Sequence, residues 1–411
     1  MQQVRELHGR TFAALGVRNY RLYFIGQGIS LSGTWMQSVA QALLVLQLTG
    51  SGTSLGLVTA LQTLPVLVLG AWGGVLADRL PKRQLLFATQ AAFGLLATLL
   101  GLLVTTGRIQ IWMVYAIAPV LGLVTAIDNP VRQVFMLEMV GPAQLVNAVS
   151  LNSTEVNLAR VIGPSLAGIL IATVGLGPCF LLNGASYVAV IVVLLMMDLA
   201  ALHPAPLVPR ARGQLQAGLR YVRSTPVLRD ALLMMAIIGA FTYEFSVSLP
   251  LFAEMTFNGG PSTYAAMTAA MGIGSVAGGL YTASLRGDAA RGLARAALFF
   301  GLATLLAGIM PTLPLALVAL LAVGFCSICF LSLANSTLQL ESDPAMRGRV
   351  MALWTVAFLG STPIGGPIVG LIGEHLGARL ALRFGGVAAL AASLLGFAAM
   401  RRLAPQPGQG D

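Results

Sequence analysis

The chain has 411 residues, of which 57% are hydrophobic and only 9% are charged, with 24 Lys and Arg against 14 Asp and Glu. A soluble domain carries roughly 25% charged and 45–50% apolar residues, so this chain cannot cover a water-exposed surface. The composition excludes a soluble enzyme, a disordered chain and a nucleic-acid-binding protein. Because the cytoplasmic loops of membrane proteins are enriched in basic residues, we attribute the net charge of +10 to such loops.

Twelve apolar runs follow one another along the chain, each long enough for a membrane-spanning helix of roughly 20 residues. Short breaks such as Thr49–Gly52 predict tight hairpins between them. We therefore predict an all-α integral membrane protein with twelve transmembrane helices. The predicted spans are 21–48, 53–76, 84–106, 109–129, 153–174, 178–199, 228–256, 262–286, 291–310, 313–338, 347–374 and 377–402.

A polar stretch at 200–227 carries Pro204, Pro206 and Pro209 together with four arginines, and it separates six spans from six. We predict an N-terminal six-helix bundle at 1–199, a cytoplasmic linker at 200–227 and a C-terminal six-helix bundle at 228–411. Two pseudo-symmetric bundles suit a transporter in which the halves rock about a substrate cavity at their interface.

The basic residues predict an orientation. With both termini in the cytoplasm, 20 of the 24 Lys and Arg fall in cytoplasmic segments, whereas Arg108, Arg379 and Arg383 fall outside. This asymmetry supports an even number of spans and cytoplasmic termini, most simply in a bacterial plasma membrane. The basic first 21 residues lead into a run too long for a signal-peptide core, so we expect a retained first span.

The loop after the second span reads Gly74-Val-Leu-Ala-Asp78-Arg79-Leu-Pro81-Lys82-Arg83. It resembles the signature loop of the major facilitator superfamily, with Pro81 in place of the usual glycine. The resemblance implies that Gly74, Asp78, Arg79 and Arg83 form a gate, in which Asp78 holds spans 2 and 11 together on the cytoplasmic side. A solvated turn that obeys the charge rule is the alternative.

Further stretches resemble the exporter branch that contains the enterobactin exporter and macrolide-efflux proteins. They are Arg18-Asn-Tyr-Arg21, Gly26-Gln27, Gly33–Gln37, Asp128-Asn-Pro-Val-Arg132-Gln133, Leu145–Ala148 and Asn157–Pro164. The resemblance implies the major facilitator fold and a monomer. It does not identify a substrate.

One face of the first span is polar, because five polar side chains recur there at spacings of three and four. Lipid disfavours such a face, so it must meet protein or water. In the resembling family this span lines the central cavity, and we expect uncharged substrate contacts here. Hydrogen bonds between helices are the alternative. The five residues are Gln27, Ser30, Thr34, Gln37 and Gln41.

The fifth span carries an intramembrane charge, Arg160, on the same face as Asn157 and Pro164. An arginine there needs a partner or water, and the candidate partners are Asp128, Glu138 and Glu155. Its role is either structural and gating, or direct contact with substrate or coupling proton. Gly163-Pro164-Ser-Leu-Ala-Gly168 resembles the superfamily's antiporter motif, in which small residues permit close packing and a proline bends the helix.

Glu244 is the acid that lies deepest in the second half of the chain, near the middle of span 7. A carboxylate in such a setting can take up and release a proton, so we name Glu244, Arg160 and Asp128 as proton-coupling candidates. A carboxylate that binds cationic substrates and a hydrogen-bonded structural residue are the alternatives. In span 10, Asn335 and Gln339 share a face and are further candidates for substrate binding.

Small residues at Gly163, Gly168 and Gly366, and the prolines Pro164 and Pro367, are predicted to serve helix packing. The pair Cys326-x-x-Cys329 lies in an apolar run, so we expect no metal site. The sequence shows no phosphate-binding loop and no catalytic Ser/His/Asp group. We therefore expect a transporter without enzymatic activity or cofactor.

These features favour a secondary transporter that works by alternating access and exports a small amphipathic molecule in exchange for protons. A drug-like compound, a siderophore or a metabolite fits the mostly neutral polar faces. Two alternatives stay open. One is an importer, or a carrier of lipid-like molecules or metal complexes, with the same fold. The other is a transport-inactive receptor or partner protein in the membrane.

Overall fold

The computed structural model describes residues 12–203, 214–284, 289–343 and 346–403. Within these ranges the regular elements are helices, as the apolar runs predict. The long helices of the first half are α1 (Arg18–Thr49), α2 (Gly52–Arg79), α3 (Lys82–Thr105), α4 (Ile111–Val174) and α5 (Gly177–Met196). Short 3-10 turns occupy Ala13–Gly16 and Leu199–Ala201.

The second half opens with the surface-type helix α6 (Gln214–Ser224). It continues with α7 (Pro226–Phe241), α8 (Phe245–Leu251), a π-helical turn (Phe252–Thr256), α9 (Pro261–Ser284) and α10 (Ala289–Ile309). The last helices are α11 (Leu313–Leu340), α12 (Arg347–Leu359), α13 (Thr362–Leu376) and α14 (Ala378–Leu403).

Eleven spans are long and apolar enough to cross a membrane within the part of the chain that the structure describes. The remaining predicted span, 262–286, forms the 24-residue helix α9, which is long enough but is rich in Gly, Ala, Ser and Thr. The all-α membrane fold is therefore confirmed, and each predicted span is mostly helical over its described residues.

The helices differ from the predicted spans at three places. The segment 130–152 is helical rather than a loop, because α4 continues through it with a bend at Gly141, whose φ is 69°. Two predicted spans are broken: span 7 at Thr242–Glu244 and span 11 at Gly360–Ser361. Glycine tolerates the left-handed conformation at 141 without a steric penalty, which allows the chain to bend without leaving the helix for long.

The chain divides into two compact units. Unit 1 comprises Met1–Gly50, Leu61–Pro209 and Gly260–Ala269, and unit 2 comprises Ser51–Ala60, Arg210–Gly259 and Ala270–Asp411. Unit 1 is built mainly from the first half of the sequence and also includes ten residues around the start of α9. Unit 2 is built mainly from the second half and also includes ten residues around the start of α2.

Candidate functional site

The polar face of α1 lies within unit 1 and is mostly covered by protein. Gln27, Ser30, Gln37 and Gln41 are buried, whereas Thr34 is exposed. The Oε1 atom of Gln27 is buried and accepts no hydrogen bond from the described residues. A free acceptor at that depth is costly unless a ligand or water meets it.

Two members of this face bond to the neighbouring helix α5. Asn183 donates to Gln37 Oε1 over 2.7 Å, and the hydroxyls of Thr34 and Tyr187 lie 3.1 Å apart. Gln37 and Thr34 thus connect α1 to α5, while Gln27 keeps an open acceptor. No sequence pattern predicted a role for Asn183, because a single amide in an apolar helix forms no repeated spacing with other polar residues.

Asp128 is the centre of a buried polar cluster on α3 and α4. Its Oδ1 accepts hydrogen bonds from Thr89 (2.7 Å) and Gln90 (2.8 Å), and its Oδ2 pairs with Arg132 one turn along α4. The carboxylate is only 2% exposed. Four donor contacts satisfy both carboxylate oxygens, so its role is first of all to bind Arg132 and to join α3 to α4.

The structure also shows the surroundings of Arg160 and of its other two predicted partners, Glu138 and Glu155. Glu138 pairs with Lys82 over 3.3 Å, and Glu155 is buried on α4 beside α1. The guanidinium of Arg160 stacks over Trp35 of α1, with its carbon 5.0 Å from the ring centroid. Asp128 and Glu138 therefore have basic partners of their own, and Arg160 is half-buried against an aromatic face.

The second part of α4 crosses α1 very closely. A Cβ atom at Gly163 would lie 2.5 Å from Trp35 Cβ and 2.6 Å from the Ser32 carbonyl oxygen. A Cβ at Gly168 would lie 2.7 Å from Ala265 Cβ on the first turn of α9. Asn157, on the same helix, donates to the Ser153 carbonyl oxygen over 2.9 Å and stays partly accessible.

The signature loop is described only in part. Gly74 and Asp78 lie at the end of α2, but their side-chain environments fall outside the described residues. Arg79 is exposed. Arg83 donates through Nε to the Leu194 carbonyl oxygen over 2.8 Å and lies over Phe87, so it binds the carboxyl end of α5.

Glu244 lies in unit 2 at the break between α7 and α8. Its carbonyl oxygen accepts from Val247 and Ser248, which starts α8, and its side chain is only 2% exposed. Thr362 interacts with the carboxylate, and the Oε1 atom is buried without a hydrogen-bond partner among the described residues. A Cβ at Gly366 would lie 3.5 Å from its Oε2.

The break at Glu244 is held by bonds on either side. Thr242 donates to the Gly385 carbonyl oxygen (2.7 Å) and Tyr243 donates to the Ser327 carbonyl oxygen (2.5 Å). Rings surround Tyr243, with Phe300 and Phe358 at centroid distances of 5.3 and 5.4 Å. The sequence Phe241-Thr-Tyr-Glu-Phe245 contains no Gly or Pro, so it gives no signal of a broken helix.

The remaining sequence-predicted site residues of unit 2 lie on α11 and α13. Gln339 donates to Asn335 one turn earlier on α11, and both stay at least partly accessible. Gly366, followed by Pro367 in α13, packs on the start of α2, where its Cβ would lie 3.1 Å from the Gly56 carbonyl oxygen.

Glu374, which sequence reasoning missed, lies near the end of α13 and binds the start of α2. Its Oε2 accepts from Ser51 Oγ (2.8 Å) and from the Thr53 amide (2.9 Å). Such a contact, 321 residues apart in sequence, leaves no local signal. Among the residues that the structure describes, no group of three His, Cys, Asp or Glu could hold a metal ion.

The fold, the broken helices and the buried polar groups within them define a multi-pass membrane transporter. Residues 9–405 match the profile of the family described as transmembrane secretion effectors. The chain belongs to this family of the major facilitator superfamily, as the signature loop indicates, and it is not an enzyme.

Curated relatives cover most of the chain at low identity. The MFS-type transporter YfiS of Bacillus subtilis is 25% identical over 371 residues, which is 85% of this chain and 86% of the relative. The enterobactin exporter EntS of Escherichia coli O1:K1 is 26% identical over 87% of this chain and 86% of its own. The staphyloferrin A transporter of Staphylococcus aureus is 27% identical over 41% of this chain and 42% of its own.

Solved structures share the fold. A bacterial homologue of the human lysosomal transporter Spinster, inward-facing and unoccupied, has a TM-score of 0.74 at 14% identity and covers 93% of this chain and 97% of that chain. A POT family transporter in complex with 5-aminolevulinic acid has a TM-score of 0.75 at 11% identity, with 94% and 97% covered.

Proposed function

We propose that the chain exports a small amphipathic molecule in exchange for protons by alternating access, from a bacterial cytoplasmic membrane with both termini inside. The cargo is a drug-like compound, a siderophore or a metabolite. One relative supports the direction by name, an enterobactin exporter similar over most of the chain. A staphyloferrin A transporter, similar over less than half of the chain, supports the cargo class.

The observation that carries the proposal is the position of Glu244. It is a deeply buried acid at a helix break, with one carboxylate oxygen that no described group satisfies. Broken helices at membrane depth are where secondary transporters bind ions and substrates. Asp128 is less suited to carry the proton, because its carboxylate already accepts from Thr89, Gln90 and Arg132.

The cargo class follows from uncharged polar groups. Gln27 offers a buried free acceptor, and Asn335 and Gln339 offer accessible amides. Ser30, Gln41 and Asn157 extend the uncharged faces, whereas Gln37 and Thr34 serve mainly to hold α1 to α5. Arg160 over Trp35 supplies one cation with an aromatic face, which suits a partly apolar, weakly anionic or neutral solute.

Gating is assigned to the signature loop. Asp78, with Gly74, Arg79 and Arg83, closes the cytoplasmic side and is released during the transport cycle, as the superfamily resemblance implies. Proline bends and glycine crossings at Gly163, Pro164, Gly168, Gly366 and Pro367 provide the close helix contacts that shift between states.

The test uses the purified chain in liposomes with an imposed pH gradient. Uptake of enterobactin, staphyloferrin A and a macrolide is measured into vesicles that are acidic inside. Molecules whose cytoplasmic side faces outward then carry cargo into the lumen while protons leave it. We expect gradient-dependent accumulation of at least one compound, with Glu244→Gln abolishing the dependence on pH. Glu254→Gln is the matched control, because Glu254 is an exposed acid ten residues further along the same predicted span.

Three results would contradict the proposal. Glu244→Gln with unchanged pH-driven transport would remove Glu244 from the coupling step. Accumulation only under the opposite gradient would indicate an importer. A folded protein that transports no compound in a wider screen would favour the transport-inactive alternative, a receptor if a compound raises its thermal stability and a partner protein if none does.

A further inference from the structure

Unit 1 contains a second buried acid, Glu155, which the proposed mechanism does not use. It is only 6% exposed, and its Oε1 atom is buried without a hydrogen-bond partner among the described residues. The carboxylate lies against Gly28 of α1, where an ideal Cβ would stand 3.0 Å from that Oε1 and 3.9 Å from Cδ. The absence of a side chain at position 28 provides the space that the carboxylate occupies.

The charged and titratable groups around Glu155 come from α1 and α4. Arg132 acts on it electrostatically from α4, and the hydroxyls of Tyr20 and Tyr23 on α1 are within its electrostatic range. Asp128 shares the same region. Further along α4, Arg160 stacks on Trp35 of α1.

The charge of Arg132 is already neutralised where it lies. Its Nε and Nη2 atoms both donate to Asp128 Oδ2, and within the described part of the chain it makes no hydrogen bond to Glu155. Tyr20 directs its hydroxyl to the Ala148 carbonyl oxygen over 2.8 Å, so it does not donate to Glu155 either. An ionised Glu155 would therefore be a second negative charge beside a pair that is already balanced.

An isolated ionised carboxylate at this depth costs several kcal/mol, and a bound cation removes that cost. The carboxylate lies so close to α1 that even a Cβ at position 28 would stand 3.0 Å from Oε1, and a proton is the cation that needs no further room on this side. Proton binding needs no other reactant: the carboxylate and a proton form the neutral acid, and release reverses the step.

We propose that Glu155 is a second proton-binding site, formed within unit 1 at the crossing of α4 and α1. The proton converts Oε1 or Oε2 from an acceptor into a hydroxyl donor. Gln27, the neighbour of Gly28 in the sequence of α1, presents a buried acceptor without a partner among the described residues. Proton occupancy at Glu155 thereby acts on the polar face of α1, which we assign to the cargo.

The role of this site in transport rests on the proposed proton coupling, but proton binding at Glu155 does not. The test is therefore infrared difference spectroscopy of the full chain in lipid nanodiscs across an acid-to-alkaline pH step, with no cargo present. The carbonyl stretch of protonated carboxylic acids is separated from that of ionised carboxylates, so each buried acid that loses its proton gives a negative band.

We expect Glu155→Gln to lose one such band, with an amplitude of one group per chain, and Glu244→Gln to lose a different one. Glu341→Gln, at an exposed acid, is the matched control and keeps both. Gly28→Ala leaves Glu155 in place and puts a methyl group against its carboxylate. We expect this variant to shift the pH midpoint of the same band, which tests the site if Glu155→Gln does not fold.

Identical spectra for Glu155→Gln and the unaltered chain, or a Gly28→Ala band with an unshifted midpoint, would overturn the inference. The proposed function fails separately. A Glu155 band in a chain whose transport ignores the pH gradient would support this site and refute proton coupling. Gradient-driven transport by a chain without a Glu155 band would support proton coupling and refute this site.

Discussion

The crossing of α9 and α11 in unit 2 allows a sharp test of whether glycine is required for helix packing. A Cβ at Gly278 would lie 2.4 Å from the Phe325 carbonyl oxygen and 2.5 Å from Ile328 Cγ2, whereas a Cβ at Gly279 would meet nothing within 4 Å. Ordinary contact begins at 3.4 Å, so Gly278→Ala forces the helices about 1 Å apart. The two positions are neighbours on one helix, which makes Gly279→Ala the matched control.

The magnitude follows from two opposing effects. Replacement of a helical glycine by alanine gains up to about 1 kcal/mol in either variant. Overpacking against a backbone carbonyl, which cannot rotate away, costs about 1–3 kcal/mol at Gly278 alone. Because the gain is common to both, Gly278→Ala should be about 1–3 kcal/mol less stable than Gly279→Ala.

Thermal unfolding of the purified variants in one detergent measures this difference. The free cysteines Cys179 and Cys329 are buried, so a thiol-reactive dye reports when the helices separate. We expect Gly278→Ala to unfold several degrees below Gly279→Ala. Equal midpoints, or a higher midpoint for Gly278→Ala, would refute the reasoning that the carbonyl contact sets the approach of α9 and α11.

Three further predictions use the same thermal assay. Lys82→Met removes the cation that lies 3.3 Å from the buried Glu138 carboxylate and should cost about 3 kcal/mol. A second change, Glu138→Leu, should restore much of that loss, and a further loss in the double variant would contradict the prediction. Glu374→Ala removes the acceptor for two bonds at the start of α2 and should cost about 1–2 kcal/mol, with an unchanged midpoint as the contrary result. Arg379→Ala should cost about 1–2 kcal/mol because Arg379 donates to the Met310 carbonyl oxygen over 2.7 Å, and rescue by Lys should be incomplete.

The fold was predictable because bilayer thickness forces long apolar runs, and long runs are visible in the sequence. The continuation of α4 through 130–152 was not predictable, because that segment includes Pro130 and Pro142, and a proline inside a run normally predicts the end of a helix. The break at Glu244 was equally hidden. It is maintained by Thr242 bonding to Gly385, a contact 143 residues away in sequence.

The sequence predicted the candidate site only where the type of a residue determines whether its side chain faces protein or lipid. A polar stripe on α1 had to face protein, and the structure buries Gln27, Ser30, Gln37 and Gln41. Which member bonds to a neighbour depends on the helix opposite, and that is why Asn183 and its bond to Gln37 had no signal. Buried acids were easy to find, but their partners were not, since pairing requires coordinates.

The two arginines of the final hairpin, predicted to lie outside, clarify what the charge rule measures. Arg379 donates to the Met310 carbonyl oxygen, and Arg383 Nε lies 3.4 Å from the Gly308 carbonyl oxygen, at the carboxyl end of α10. The helix dipole favours cations at that end, and Arg379 also lies over Phe252 and Phe257. These two side chains therefore bind other parts of the protein and do not extend freely from a loop. The rule counts basic residues near span ends without regard to such bonds. Arg83, on the predicted cytoplasmic side, is bonded in the same way to the Leu194 carbonyl oxygen at the end of α5, so such bonds occur on both predicted sides and do not by themselves decide the orientation.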